Sequence, residues 1–424
     1  MPNLNVLVVG ASIAGPTAAY WLAKAGANVT VIERFPKLRT SGQNIDIRSC
    51  GVTIMRRMAG MEEAVRAAVL ELEGISFVND KGEPIAIMKS TGDADAQFLV
   101  SEYEIYRGEL SRIIVNLTKD NDKIKYVFGE QVVAMHHKED SGPITVEFAN
   151  GMPTAEYDLV VACDGATSRT RAIGFGYGVR DHIVPVNTWA AYFNIEEDLM
   201  QGSKLGKGYT NPGGRAIFMA PRPSGGTQVL YLSVHAGNKD QDHTKAFREA
   251  SQKGDDALKA YVAERFQGPG WKSKEVMDGM MKSDDFYASE WLQVKIPKLY
   301  KGRFVAVGDA GYAAGPTGGG TSLALAGAYI LAGELSAHKG DLAAGLEAYE
   351  RRMRPIIDEM QKIPPGVLSF MAPQTKWGIW LRNQFFKLVC WTMKFKGLFA
   401  WASQYFASAF GGDKFNIPDY DWEN

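Results

Sequence analysis

The stretch VLVVGASIAG, residues 6–15, decides the fold. Apolar β-forming residues run into a glycine-rich turn, and the Ala- and Leu-rich segment from Gly15 to Ala25 reads as a helix. The next strand is ANVTVIER, 27–34, so strand, turn, helix and strand follow one another within about thirty residues. That context gives the glycines a purpose. Gly10 allows the tight exit from the strand, and Gly15 lets the helix pack close to the sheet. The helix start, at Ser12, Ile13 and Ala14, offers free N–H groups and a positive dipole end to a pyrophosphate. Ser12 stands where glycine usually admits the closest phosphate approach, so one more Cβ has to be accommodated. Glu33 closes the second strand, with Arg34 after it, and is placed to accept hydrogen bonds from the hydroxyls of an adenosine ribose.

The remaining composition narrows the class. At 424 residues the chain is longer than one ordinary core and is expected to build two or three packed units. A hydrophobic fraction of 46% with 22% charged residues favours a soluble globular protein. A net charge of −1 gives no electrostatic reason for a nucleic-acid partner. Cys50, Cys163 and Cys390 match no metal or redox spacing, and no secretory leader is visible, so a reducing cytoplasmic setting without a bound metal is expected.

Along the chain, GISFVNDKGEPIAIM reads as a hairpin, and a helix starts near Arg107 in YRGELSRIIVNLTK. KYVFGEQVVAMHH and ITVEFANG are strand-like, followed by YDLVVACDGATSRTR. From about 181 to 290 aromatic-rich strands take over, with one helix near DDALKAYVAERF. RFVAVGD, 303–309, returns to a buried strand, and the glycine-rich AGPTGGGTS leads into the helix LALAGAYILAGEL. The division is therefore 1–72, 101–180 and 291–360 for a dinucleotide-binding domain, 73–100 and 181–290 for a sheet domain, and 361–424 for a C-terminal helix and tail. Asp309, with Pro316, Gly318, Gly319, Gly320, Thr321 and Ser322, puts a carboxylate at a strand end and unhindered N–H donors at a helix start, where developing negative charge would be stabilised. Asp164-Gly165, followed by Arg171, repeats the strand-and-turn pattern and by itself reads as an ordinary turn.

The motifs GASIAG…ER, YRGEL, DLVVACDGATSRTR and GDAGYAAGPTGGGTSLALAGAYILAGEL, in this order, resemble those of the group A flavoprotein monooxygenases of the para-hydroxybenzoate hydroxylase fold. RTSGQNIDIR and TSLALAGAYILAGEL are most similar to the branch that holds the tetracycline-inactivating and natural-product hydroxylases. The resemblance implies an α/β fold in which a Rossmann-like FAD-binding domain is interleaved with a β-sheet substrate domain, plus a C-terminal bridging helix. It implies FAD as cofactor, with the ADP half at Gly10, Gly15 and Glu33, and Arg107 at the ribityl-pyrophosphate region. It places Asp164 and Gly165 at FAD and NAD(P)H, Asp309 at the ribityl chain or pyrophosphate, and 316–322 along the isoalloxazine. Gln43, Asp46 and Arg48 fall in the segment that neighbours the ring. Three departures stand out: Gly311-Tyr312 replaces the family's His, Ser322 its Asn, and Gly327 its Asp.

The implied reaction consumes NADPH or NADH and O2. One oxygen atom goes into an aromatic or polycyclic natural product through a C4a-hydroperoxyflavin, with no catalytic side chain assigned. Epoxidation, oxidative rearrangement and Baeyer–Villiger insertion stay open as outcomes of the same chemistry, and a redox-silent dinucleotide-fold binding protein is the rival of another class. Tyr192, Arg215, Phe218, Arg222, Gln228 and Tyr231 are the candidates for substrate contact, although strand alternation sends only part of them to any one face. The aromatic run 374–405, which includes Trp377, Trp380, Leu388, Phe395, Leu398 and Trp401, reads as a bridging helix in preference to a membrane-surface or dimer contact; the assembly is expected to be a monomer or a homodimer.

Overall fold

The computed structural model describes residues 4–39, 42–70, 72–89, 102–137, 142–235, 241–268, 270–392 and 415–422. The opening strand, Asn5–Val9, lies inside a six-stranded sheet ordered Tyr300–Lys301, Phe304–Ala306, Leu159–Ala162, Asn5–Val9, Asn28–Glu33, Ile124–Phe128. Every pairing is parallel except that of Tyr300–Lys301. Parallel strands are covered on both faces, which is why VLVV, LVVA and FVA are unbroken apolar runs. Helix Gly320–Ala337 is apolar around its circumference and buried continuously from Thr321 to Leu335. Such a helix belongs inside. It packs against helices Ala14–Lys24, Cys50–Arg57 and Leu342–Met360.

The second unit is a seven-stranded sheet ordered Tyr287–Val294, Ile183–Ile195, Thr227–Val234, Arg215–Pro221, Leu205–Asn211, Gly74–Val78, Pro84–Lys89. The hairpin at 74–89 joins it through a parallel pairing of Gly74–Val78 with Leu205–Asn211. Val294 still pairs with Ile183, so the sheet runs past position 290, where the sequence pattern suggested the break. Alternation gives the sheet two faces. Trp189, Ala191, Phe193 and Tyr231 lie on one, beneath helices Lys245–Gln252, Asp255–Arg265 and Ser273–Lys282. Ala190, Tyr192, Phe218, Leu230 and Leu232 lie on the other. Only the middle helix was expected. Its neighbours bury just Phe247, and Val276 with Met280, which leaves too little apolar periodicity to read.

KYVFGEQVVAMHH also divides, turning at Gly129, whose φ is +78°. Ile124–Phe128 ends the parallel sheet, whereas Val132–His137 forms a separate antiparallel sheet with Ile144–Phe148 and Ala155–Tyr157. Helix Lys376–Thr392 lies against strands Pro84–Lys89 and Leu205–Asn211. The tail 415–422 returns to the dinucleotide domain, with Trp422 against Trp21 and Tyr329. Phe395, Leu398 and Trp401 lie outside the described residues. Among the described residues no helix is long and apolar enough to cross a membrane.

Candidate active site

A cleft of about 1130 Å³, open to solvent, runs along the C-terminal ends of the parallel strands. Ligands of open α/β sheets bind at that edge. Gly10, Ser12, Glu33, Arg34, Gln43, Arg107, Asp164 and Gly165 all line it. Ile13, Ala14 and Gly15 form the helix start beside it, and no side chain caps that end. Its N–H groups are left for a ligand. The turn tolerates nothing larger: a Cβ on Gly10 would meet the Cys163 carbonyl oxygen at 2.6 Å, and one on Gly15 would meet the Gly10 carbonyl oxygen at 1.8 Å. The Glu33 carboxylate accepts hydrogen bonds from the N–H of Ala11 at 2.9 Å and of Phe35 at 3.1 Å, fixing it at the cleft wall. These features fit the adenosine and pyrophosphate of a dinucleotide.

Ser111 escaped the sequence reading. Its Oγ donates to the carbonyl oxygens of Ala11, at 3.3 Å, and Ser12, at 3.0 Å, bracing the turn. The signal was present: Ser111 stands four residues after Arg107 in helix Arg107–Asn116, hence on the same helix face. Tyr287, from the second sheet, also lines the cleft, with the Arg39 guanidinium over its ring and Tyr192 at 6.3 Å.

Asp164 is committed locally. Its carboxylate accepts from Ser168 Oγ, from Thr170 Oγ1 at 2.9 Å and from Thr170 N–H at 3.2 Å, while burial pushes its pKa up. Arg171 is fully buried and donates to the carbonyl oxygens of Ala166, Ala310 and Val179, tying the two strand-end turns together.

The second cluster forms at the start of helix Gly320–Ala337. Three segments meet at Gly308, where an added Cβ would lie 2.9 Å from Ala14 Cβ and 3.6 Å from Ala324 Cβ. Asp309 follows, exposed to solvent yet ringed by protein that raises its pKa, with the nearby Arg107 charge opposing the shift. Its Oδ1 faces Gly320, at 3.7 Å from the position a Cβ would take. Pro316, Gly318, Gly319 and Thr321 complete the loop and the uncapped helix start. Ser322 is occupied within the protein, since its Oγ donates to the Arg48 carbonyl oxygen at 2.6 Å and accepts from the Arg48 N–H at 3.1 Å. The segment around Asp46 is thereby clamped to the helix start.

Asp46 lies on a two-stranded ribbon, Asn44–Asp46 against Glu104–Tyr106, where it opposes Glu104. Arg48 pairs with Asp46 at 2.9 Å, and Asn44 Nδ2 donates to Glu104 Oε1 at 3.1 Å. Burial first, and the Asp46 charge second, push Glu104 up to about 7. Two carboxyl groups side by side favour holding one proton between them. Gln43 Oε1, Asn44 Oδ1 and the Tyr106 hydroxyl are buried with no partner among the described residues. Such atoms fit a site meant to receive a polar ligand.

The sheet divides the substrate candidates. Tyr192, Phe218 and Gln228 share the face away from the three helices, and the Arg222 charge bears on Tyr106. Arg215 and Tyr231 are corrected. Arg215 pairs with Ser233 on the helix-covered face and donates to the carbonyl oxygens of Pro212, Arg265 and Gln267. Tyr231 stacks on Phe266 at 4.1 Å in that core. A residue one position out of phase sits on the opposite side of the sheet.

The family model described as "FAD binding domain" matches residues 3–362. The FAD-dependent monooxygenase asL4 of Sarocladium schorii is 33% identical over 92% of this chain and 93% of its own. The monooxygenase CTB7 of Cercospora beticola is 32% identical over 99% and 98%. Among solved structures, tetracycline destructase Tet(51) superposes with a TM-score of 0.76 at 24% identity, covering 99% of this chain and 100% of that one, a likeness of fold. The reading as a redox-silent binding protein falls away. The chain belongs to the FAD-binding-domain family and is an FAD-dependent monooxygenase.

Proposed function

We propose that the chain uses NADPH or NADH to reduce FAD and O2 to oxygenate an aromatic or polycyclic natural product. The meeting of three motifs at Gly308 carries this reading, because it joins the cleft at Gly10 to the helix start at Gly320. Glu33 would hold the adenosine ribose, the start of helix Ala14–Lys24 the pyrophosphate, and Arg107 with Asp309 the ribityl region. When bound, FAD supplies the activation of O2 and the transfer of one of its oxygen atoms. The chain supplies the surroundings. The uncapped start of helix Gly320–Ala337 would lend its positive end to the bound flavin and stabilise negative charge that develops on it. Tyr192, Phe218, Gln228 and Arg222 would form the substrate wall, apolar with a few polar contacts. The likeness to the tetracycline destructases Tet(51) and Tet(55) supports a polycyclic substrate. All three cysteines are free, which suits a reducing cytoplasm.

The test is oxygen-isotope labelling. Purified protein with NADPH or NADH, ¹⁸O2 and a panel of polycyclic phenols should give a product carrying one ¹⁸O atom. Stoichiometric peroxide with no labelled product from any compound would overturn the reading.

A further inference from the structure

Helix Lys376–Thr392 is built inside out. Its protein-facing side carries Arg382, only 5% exposed, which donates to Thr210 Oγ1 at 2.9 Å, the Met371 carbonyl oxygen at 3.2 Å and Asn383 Oδ1 at 2.9 Å. Phe386, on the same side, stacks on Phe77 at 4.3 Å. The outer side carries Trp377, Trp380, Leu381, Phe385 and Leu388, which are 68%, 55%, 48%, 46% and 56% exposed. Their spacing makes one continuous stripe. Most exposed large apolar residues elsewhere on the molecule are scattered singly, as on any surface.

Charge selects what covers the stripe. From Met360 to Gly412 the sequence holds no Asp or Glu, but Lys362, Lys376, Arg382, Lys387, Lys394 and Lys396, in a protein of net charge −1. Lys376 and Lys387 are exposed beside the stripe. Tryptophans flanked by lysines suit the headgroup level of a bilayer, where indole rings sit at the boundary and cations meet anionic lipid. A second copy fits less well. One helix face of roughly 25 by 10 Å falls short of the ~800 Å² per partner of a stable interface.

We propose that the outer face of helix Lys376–Thr392 docks the enzyme on an anionic membrane surface, lying in the interface without spanning it. The seven-stranded sheet against which the helix packs is then held next to the lipid, where apolar polycyclic molecules concentrate. The proposal stands independently of the oxygenase reading.

The experiment is flotation of the full-length, FAD-loaded protein with vesicles of phosphatidylcholine alone or with one quarter phosphatidylglycerol. The protein should float with the anionic vesicles, about tenfold less with the neutral ones, and be released by high salt. The variant W377Q/W380Q/L388Q should stay at the bottom with unchanged melting temperature and flavin content, because the replaced side chains face water. Failure of the wild type to float overturns the proposal. So does a wild-type dimer that the variant converts to monomer, which assigns the face to a second copy. A lowered melting temperature in the variant overturns it too, because the stripe is then covered by the protein itself.

Discussion

The phenolic oxygen of Tyr312 fills the place of a missing side chain: a Cβ on Gly327 would stand 1.8 Å from it. The family pattern has His and Asp at these two positions, and in sequence the departures look unrelated. In space they are one change. Tyr312 Oη, held 3.1 Å from Tyr349 Oη, requires the helix at 327 to carry no side chain, and glycine in a helix interior otherwise costs about 1 kcal/mol. Gly327→Ala is expected to destabilise by about 2 kcal/mol through overpacking. Tyr312→Phe should cost about 1 kcal/mol for the lost hydrogen bond. The double variant should cost less than the sum, because removing the hydroxyl frees the space. Strict additivity in denaturant unfolding would show that the contact is slack.

Glu104 makes stability depend on pH. Burial, followed by the Asp46 charge, lifts its pKa from 4.5 to about 7. A raised carboxyl contributes stability that is complete below the unfolded value and lost as pH rises through the folded one. Between pH 4.5 and 7 the wild type should therefore lose stability that Glu104→Gln retains. Above pH 7 the variant should be the more stable by roughly 2–3 kcal/mol, at 1.36 kcal/mol per pKa unit and allowing for partial exposure to solvent. Melting at pH 5 and pH 8 with FAD in excess checks it; parallel pH curves for the two proteins would sink the assignment.

The motifs were legible because each states a backbone need. Gly10, Gly15 and Gly308 sit where a Cβ would strike a neighbouring segment, and that requirement is written in one residue. Side-chain faces in the second sheet were not legible. Tyr231 opposes Ala191, and whether it faces the helices or the cleft depends on a register set across the intervening strands. A bulge between Pro185 and Thr188, with Asn187 at φ +52°, further breaks the alternation of that strand. The ribbon was hidden for another reason. Its strands are three residues each and come from distant parts of the chain, too short for any period to show.

The two faces of that sheet predict two kinds of variant. Phe218→Ala should raise KM severalfold, since Phe218 lies on the sheet face away from the three helices, the face proposed to meet substrate. Arg215→Met should leave KM unchanged and destabilise by about 2–4 kcal/mol, because three carbonyl oxygens lose their donor. Tyr231→Phe should be nearly neutral, because the Tyr231 hydroxyl is buried without a partner among the described residues. A KM effect at Arg215 matching that at Phe218 would contradict the division of faces.

Glu33 tests the cofactor geometry most directly. Its carboxylate stands at the cleft wall, oriented by the Ala11 and Phe35 N–H groups, and a ribose diol is the partner expected there. Glu33→Gln keeps the length but removes the charge that strengthens hydrogen bonds accepted from both hydroxyls. FAD affinity should fall by about 10–100-fold, equivalent to ~1.4–2.8 kcal/mol. The protein should then purify partly colourless, and titration with FAD, followed by quenching of flavin fluorescence, should restore full loading at higher concentration. Retention of wild-type affinity would move the adenosine away from Glu33 and require another anchor in the cleft.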